Sequence, residues 1–244
     1  MRRTRLDKLL SENGLSRKQA GQVIRAGRVR VDGEVVRDAA HALDADTARV
    51  TLDGEALSTE KHLHLMLNKP AGYLTATEDG RGATVMDLLP EPLRKRGLGP
   101  VGRLDKDVTG LILLTTDGQL AHRLISPKWK MDKKYLAAVE GRLDETCVRR
   151  FLEGVPLKDF TCEPAGLRIL RAGDEESLCE VTVHEGKYHQ VKRMLAACGH
   201  PVLALSRRSI AGIELDKSLG EGEWRYLTEE ERASLYRLTE LEES

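Results

Sequence analysis

A chain of 244 residues with 40% hydrophobic content has room for one large packed domain and a small appendage, which excludes disorder as the default. Lys plus Arg equal Asp plus Glu at 39 each, so no global positive field advertises a polyanionic partner; charge is instead segregated, with ten Lys/Arg against four acids in residues 1–37. No apolar run approaches membrane-spanning length and the four cysteines (Cys147, Cys162, Cys179, Cys198) contain no CxxC pair, which argues against a membrane protein, a zinc ribbon and a redox dithiol.

The leading MRRTRLDKLL carries charge where a signal peptide needs an apolar stretch, so the expectation is a soluble cytoplasmic protein with reduced, mostly structural cysteines. Leu6-Asp7-Lys8-Leu9-Leu10 starts a short amphipathic helix, and Ser16-Arg17-Lys18-Gln19 has the spacing of a capping box for a second helix running through Ile24 and stopping at Gly27. Arg28 to Val31 and Glu34 to Val36 alternate around Asp32-Gly33, the pattern of a hairpin. The result is a basic helix-helix-hairpin module, expected within residues 1–57. On its second helix and following strand, Arg17, Lys18, Arg25, Arg28 and Arg30 form either one surface suited to phosphates or a merely solvated face.

A further strand pair surrounds Asp53-Gly54, and the polar residues 58–61 mark the expected linker to a large domain over 62–244. Within it, periodicity predicts strands at 63–68, 110–116, 133–140, 165–171, 178–184 and 202–206. Helices are predicted near 118–125, 144–153, 187–198 and 228–238, the last opened by a second capping-box spacing from Thr228 to Glu231. Irregular alternation of helix and strand implies a mixed α+β fold and not a doubly wound one.

Four segments carry candidate chemistry. VGRLDKDVTGLILLTTDG sets Arg103, Asp105 and Asp107 on a turn ahead of a continuous apolar strand; there Asp105 either caps the turn, neutralised by Arg103, or is held rigidly at a cleft for catalysis. HEGKYHQVKRMLAACGH opens a helix with Val191, Met194, Leu195 and Cys198 on a core face and His189, Lys192 and Arg193 on a cationic one. His184-Glu185 invites a zinc-protease reading, but the next histidine lies five positions on, off the required face, and no metal site is expected. Tyr135, in the KKYL strand, is either a half-buried core residue or a ring on which a nucleobase stacks. Lys69, at the strand-to-turn junction NKPAGY, is a candidate phosphate contact.

In order and spacing, GRLDKDVTGLILLTTDG, KKYL, GKYHQVKRM, NKPAGY and the leading LDKLL, SRKQAGQVI and GRVRVDG resemble bacterial pseudouridine synthases of the RsuA type over nearly the whole chain. The front module resembles the RNA-binding domain named for ribosomal protein S-four. What the resemblance implies is a pseudouridine synthase fold, with a mixed, mainly antiparallel sheet and flanking helices. It also implies isomerisation of a specific uridine in ribosomal RNA, without a cofactor. On it, Asp105 is the catalytic aspartate, Tyr135 the active-site tyrosine, Lys192 the basic partner of the aspartate and Arg103 the arginine beside the flipped base. Lys69, His189, Gln190 and Arg193 are expected at the substrate. A lysine at 192, where the wider superfamily often has arginine, marks the RsuA branch; it keeps the charge and loses the bidentate fork.

HRLISPKW and HQVKRMLAACGHPV resemble enzymes of small-subunit 16S rRNA; a relative acting on 23S rRNA is the alternative. The expected partner is rRNA or a subunit-assembly intermediate, met by a monomer with no membrane attachment. A non-enzymatic rRNA-binding or assembly protein with a degenerate domain is disfavoured by the presence of Asp105, and a metal-dependent hydrolase by the absence of ligand spacing.

Overall fold

The computed structural model describes residues 2–80 and 82–243, which divide into two compact units. The first takes in the chain to Leu63 together with Leu89–Leu98, and the second His64–Leu88 and Gly99–Glu243.

In the first unit, β1 (Arg3–Arg5) leads into α1 (Leu6–Glu12) and α2 (Arg17–Arg25), followed by β2 (Val29–Val31), β3 (Glu34–Val35), β4 (Ala42–Asp44), β5 (Val50–Leu52) and β6 (Glu55–Ala56). The capping box at the start of α2 is complete: the Ser16 hydroxyl accepts from the Gln19 amide, and the Gln19 side chain accepts from the Ser16 amide. Leu6, Leu9, Leu10, Ala20, Ile24, Val29 and Val50 close a small core. The Asp32-Gly33 turn joins β2 to β3, and the four strands run in the order β3-β2-β5-β6. Two features go beyond the sequence expectations. β1 pairs antiparallel with β4, and residues 89–98, which include the short helix α3 (Glu91–Arg94), group here. Asn13 ties the segment in, its amide donating to Ser58 O at 2.9 Å while its carbonyl accepts from Arg96 Nη1 at 2.8 Å.

The second unit is built on a mixed sheet in the order β11-β12-β10-β13-β9-β7-β15. Its elements are β7 (His64–Lys69), β8 (Gly99–Pro100), β9 (Thr109–Thr115), α4 (Gly118–Ile125), β10 (Lys133–Glu140), α5 (Glu145–Glu153), β11 (Gly166–Arg171), β12 (Glu176–Val183), α6 (Gln190–Ala197), β13 (Val202–Ile210), β14 (Ile213–Glu214), β15 (Trp224–Tyr226) and α7 (Glu229–Leu238). The pairings between these strands are antiparallel except for β13 against β9, as expected of a mainly antiparallel α+β sheet. β9 is the continuous apolar strand, buried from Gly110 to Thr115.

Core residues Met66, Leu111, Leu113, Leu120, Leu124 and Leu235 pack together, joined by a buried polar chain. Tyr236 donates to Asp117 Oδ2 at 2.8 Å, while Asp117 Oδ1 accepts from the Gln119 and Leu120 amides and so caps α4. No helix among the described residues is long and apolar enough to cross a membrane.

The parallel junction of β9 and β13 fixes the geometry that matters for function. Gly110 has φ +97°, and a Cβ there would stand 2.3 Å from the Arg207 carbonyl oxygen, so only glycine lets the two strands meet. The turn carrying Arg103 to Asp107 is thereby delivered beside the middle of the sheet.

Candidate active site

A cavity of about 350 Å³ lies in the second unit, lined by Arg103, Asp105, Tyr135, Lys192 and His189 among others, a size within the range of small-molecule sites. Four stretches distant in sequence build it: the turn before β9, the start of β10, the second half of β13, and the junction of β12 with α6. An adjoining cavity of about 670 Å³ shares Arg103, Asp105 and His189 and continues past Lys106 and Tyr188.

The turn is organised by a buried cation. Lys69 has no exposed surface, and its Nζ lies 2.8 to 3.2 Å from the carbonyl oxygens of Pro70, Asp105, Lys106 and Val108. A substrate phosphate therefore cannot reach it, which corrects the sequence expectation: the side chain is spent on gathering backbone carbonyls beneath the turn that carries Asp105. Burial pulls the ammonium down to about 8, opposed by the charges of Asp107 and Asp105. On the far side of the turn, the Thr75 hydroxyl donates to Leu104 O at 2.9 Å and accepts from Leu104 N at 3.1 Å. Asp105 sits between these two anchors.

The Asp105 carboxylate is about one-third exposed, with Lys192 Nζ 3.4 Å from one oxygen and His189 Nε2 3.5 Å from the other. Lys192 makes its shorter contacts to Asp107, at 2.7 and 2.8 Å, and this hydrogen bond holds the Asp107 carboxyl below its usual range. A compact ammonium thus bridges two carboxylates, a task for which a point charge suffices. One consequence is that Asp105 is attended by Lys192 and His189 without being gripped by either. Asp107, noted in the sequence as a second acid on the turn, is the one that fixes Lys192.

Tyr135, half-buried on β10, lines the cavity and stands cross-strand from Arg207 on β13. Arg207 is 2% exposed and donates from Nε to Leu111 O at 2.8 Å. Lys133 completes this wall, its Nζ donating to Met131 O and His184 O. Burial, reinforced by the Arg207 charge, brings Lys133 to about 8. Sequence reasoning did not single out Lys133 or Arg207 as site residues: Lys133 opens the strand expected over 133–140, Arg207 falls one residue past the strand expected over 202–206, and only the fold pairs the two strands.

The junction before α6 also departs from expectation. His189, with φ 48°, is the left-handed residue preceding the helix, and its ring stacks on Tyr188 with centroids 3.8 Å apart. Gln190 lines the cavity but is buried, and its amide is engaged: Nε2 donates to Glu185 at 2.9 Å and Oε1 accepts from Lys187 N at 3.2 Å. It braces the turn that presents His189. Arg193 does not join the cavity at all. It pairs with Asp159 and lies 5.2 Å over the Phe160 ring, because one further residue on a helix turns the side chain about 100° away from Lys192. Among the described residues, no group of three His, Cys, Asp or Glu is placed to hold a metal ion.

In the first unit Arg17, Lys18, Arg25, Arg28 and Arg30 are all exposed. Arg28 pairs with Asp53 through Nε and Nη2, and Arg30 donates to Gly33 O, which leaves Arg17, Lys18 and Arg25 as the less committed cations of this set.

Residues 63–197 match the RNA pseudouridylate synthase family and residues 4–47 match the S4 domain. The chain is 44% identical to the ribosomal small subunit pseudouridine synthase A of Escherichia coli K12, covering 95% of this chain and 99% of that protein. It is likewise 44% identical to an uncharacterized RNA pseudouridine synthase of Bacillus subtilis, over 93% and 96% of the two chains. A crystal structure described as a pseudouridylate synthase superposes with a TM-score of 0.66 at 39% identity, covering 95% of this chain and 99% of that one.

Proposed function

The chain belongs to the RNA pseudouridylate synthase family, and from that premise we propose that it converts one uridine of small-subunit 16S ribosomal RNA to pseudouridine. The observation that carries the reading is the Asp105 carboxylate at the mouth of a nucleoside-sized cavity, flanked by Lys192 and His189 and faced by Tyr135. Similarity to the Escherichia coli small-subunit enzyme over nearly full length supports the choice of 16S. The protein works as a monomer in the cytoplasm, on rRNA or a subunit-assembly intermediate.

A uridine stacked in RNA cannot offer its sugar carbon to a side chain, so the nucleotide is first extruded into the cavity. Arg103, exposed and shared by the two cavities, is placed to brace the gap left behind. Tyr135 stacks on the uracil. Asp105 acts as the anion that assists cleavage of the C1′ to N1 bond, whose electron pair leaves with the base. The base turns, C5 bonds to C1′, the C5 proton departs and N1 takes one up. Atoms are conserved throughout, so the reaction calls for no cofactor. Lys192, fixed by Asp107, and His189 keep the carboxylate oriented, while Lys69 keeps its turn in shape.

The test is a map of pseudouridines by carbodiimide-dependent reverse-transcription stops in rRNA from cells with and without the gene. One stop in 16S rRNA is expected to vanish and to return with the wild-type gene but not with Asp105→Asn. Loss of a stop in 23S rRNA instead would move the substrate to the large subunit, and an unchanged map would overturn the reading.

A further inference from the structure

Tyr188 is 75% exposed, the most exposed of the large apolar side chains among the described residues. Its ring is nonetheless ordered by stacking on His189, with an interplanar angle of 18°. A left-handed residue at 189 is costly for a non-glycine side chain and here turns the histidine back toward Asp105 while leaving the tyrosine on the outer side. Both rings line the larger cavity, where Lys106 and Lys187 add positive charge and the Thr75 to Leu104 tether gives a firm floor. An aromatic plane with lysines beside it, opening directly off the aspartate, suits a ligand with a flat base and an anionic backbone.

We propose that Tyr188 is the stacking platform for a nucleotide adjacent to the target uridine in the same RNA strand, held in the larger cavity while the uridine occupies the smaller one. The proposal rests on the uridine-isomerase reading and adds to it a second base subsite. Continuity argues for this occupant. The two cavities share Arg103, Leu104, Asp105, Gly186, Lys187 and His189, so a strand whose uridine enters one has its neighbour at the other. Because stacking reads the face of a base and not its edge, the subsite is tolerant of base identity and supplies affinity close to the reacting nucleotide.

The experiment crosses Tyr188→Ala, Tyr188→Phe and wild type with the natural RNA and with RNAs made abasic immediately 5′ or 3′ of the target. On natural RNA, Tyr188→Ala is expected to lose about 5- to 150-fold in kcat/KM, chiefly through KM, and Tyr188→Phe little. On one of the two abasic RNAs wild type falls by a similar factor, and Tyr188→Ala adds no further loss. Multiplicative losses on both abasic RNAs, equal losses from Ala and Phe, or no effect of Tyr188→Ala would each overturn the platform. A tyrosine that merely orients His189 gives the multiplicative outcome. If wild type modifies no RNA, it is the isomerase reading that fails; if wild type is active and the losses multiply, only the platform does.

Discussion

Arg17, Lys18 and Arg25 of the first unit stand in solvent, whereas Lys69, Lys133 and Arg207 around the cavity of the second are each less than a tenth exposed. The exposed set is a diffuse charge on a small scaffold, suited to sequence-tolerant attraction of phosphates that salt screens. The buried set has almost no solvent to lean on, so each member is tied to backbone carbonyls and thereby shapes the turn and strands around Asp105. Lys192 lies between the extremes, reachable from the cavity and anchored by Asp107. The contrast is that the same residue types are left open to solvent in one place and serve architecture in the other. Substitutions should separate the two.

The largest separation is expected along α6. Lys192→Met should fold normally by circular dichroism and lose about 10- to 100-fold in single-turnover rate, since it removes the cation nearest the carboxylate. Arg193→Ala, one position on, should leave the rate unchanged. Equal losses from both would erase the distinction between cavity and surface on this helix.

Replacing Arg17, Lys18 and Arg25 together with glutamine should flatten the salt dependence of RNA binding by about 0.7 to 0.9 in slope for each phosphate that is no longer neutralised, leaving the rate on saturating RNA intact. Adding Arg28→Gln should change less, because Asp53 already holds that guanidinium. Substitution is a cleaner test than deleting residues 1–57, since residues 89–98 group with that unit and would lose their packing. An unaltered slope would show that the first unit does not touch this RNA.

A smaller effect, on stability, is expected at Lys69. Lys69→Met leaves buried carbonyls unsatisfied, at a cost of about 1–3 kcal/mol and a fall of about 2–12 °C in Tm. The pH response is expected to split. Lys69 and Lys133 lie at about 8 in the folded chain, below the usual lysine value, so at neutral pH each carries a burial penalty on its charge. As pH rises from about 8 toward the unfolded value, the folded state sheds these protons first, and their contribution to stability increases. The turn meanwhile loses its central charge, so the rate should decline over the same range. A rate and a Tm that fall together above pH 8 would contradict that assignment.

Much of the fold was legible because its signals are local. Capping-box residues at Ser16 and Thr228 mark two helix starts, and apolar periodicity locates β7, β9, β10, β11 and β12 within a residue or two, whereas the strand expected over 202–206 continues to Ile210 as β13. The short strands β1, β8, β14 and β15 were not legible, since two or three residues carry no periodicity and their pairing is decided by distant partners. At the site, Asp105, Tyr135, Lys192, His189 and Arg103 converge on the cavity. Lys69 and Arg193 were misread because a residue type announces a charge but not what surrounds it. Four carbonyls gathered by the fold capture the first, and Asp159 with Phe160 captures the second.

The most direct measurement is single-turnover pseudouridine formation by Asp105→Asn, a near-isosteric change that removes only the anion. RNA affinity should match wild type and the rate should fall by at least about 10³-fold, because the anion that assists bond cleavage is gone. A rate within about tenfold of wild type, or a comparable rate loss with RNA binding abolished as well, would contradict the account in which this carboxylate drives the isomerisation.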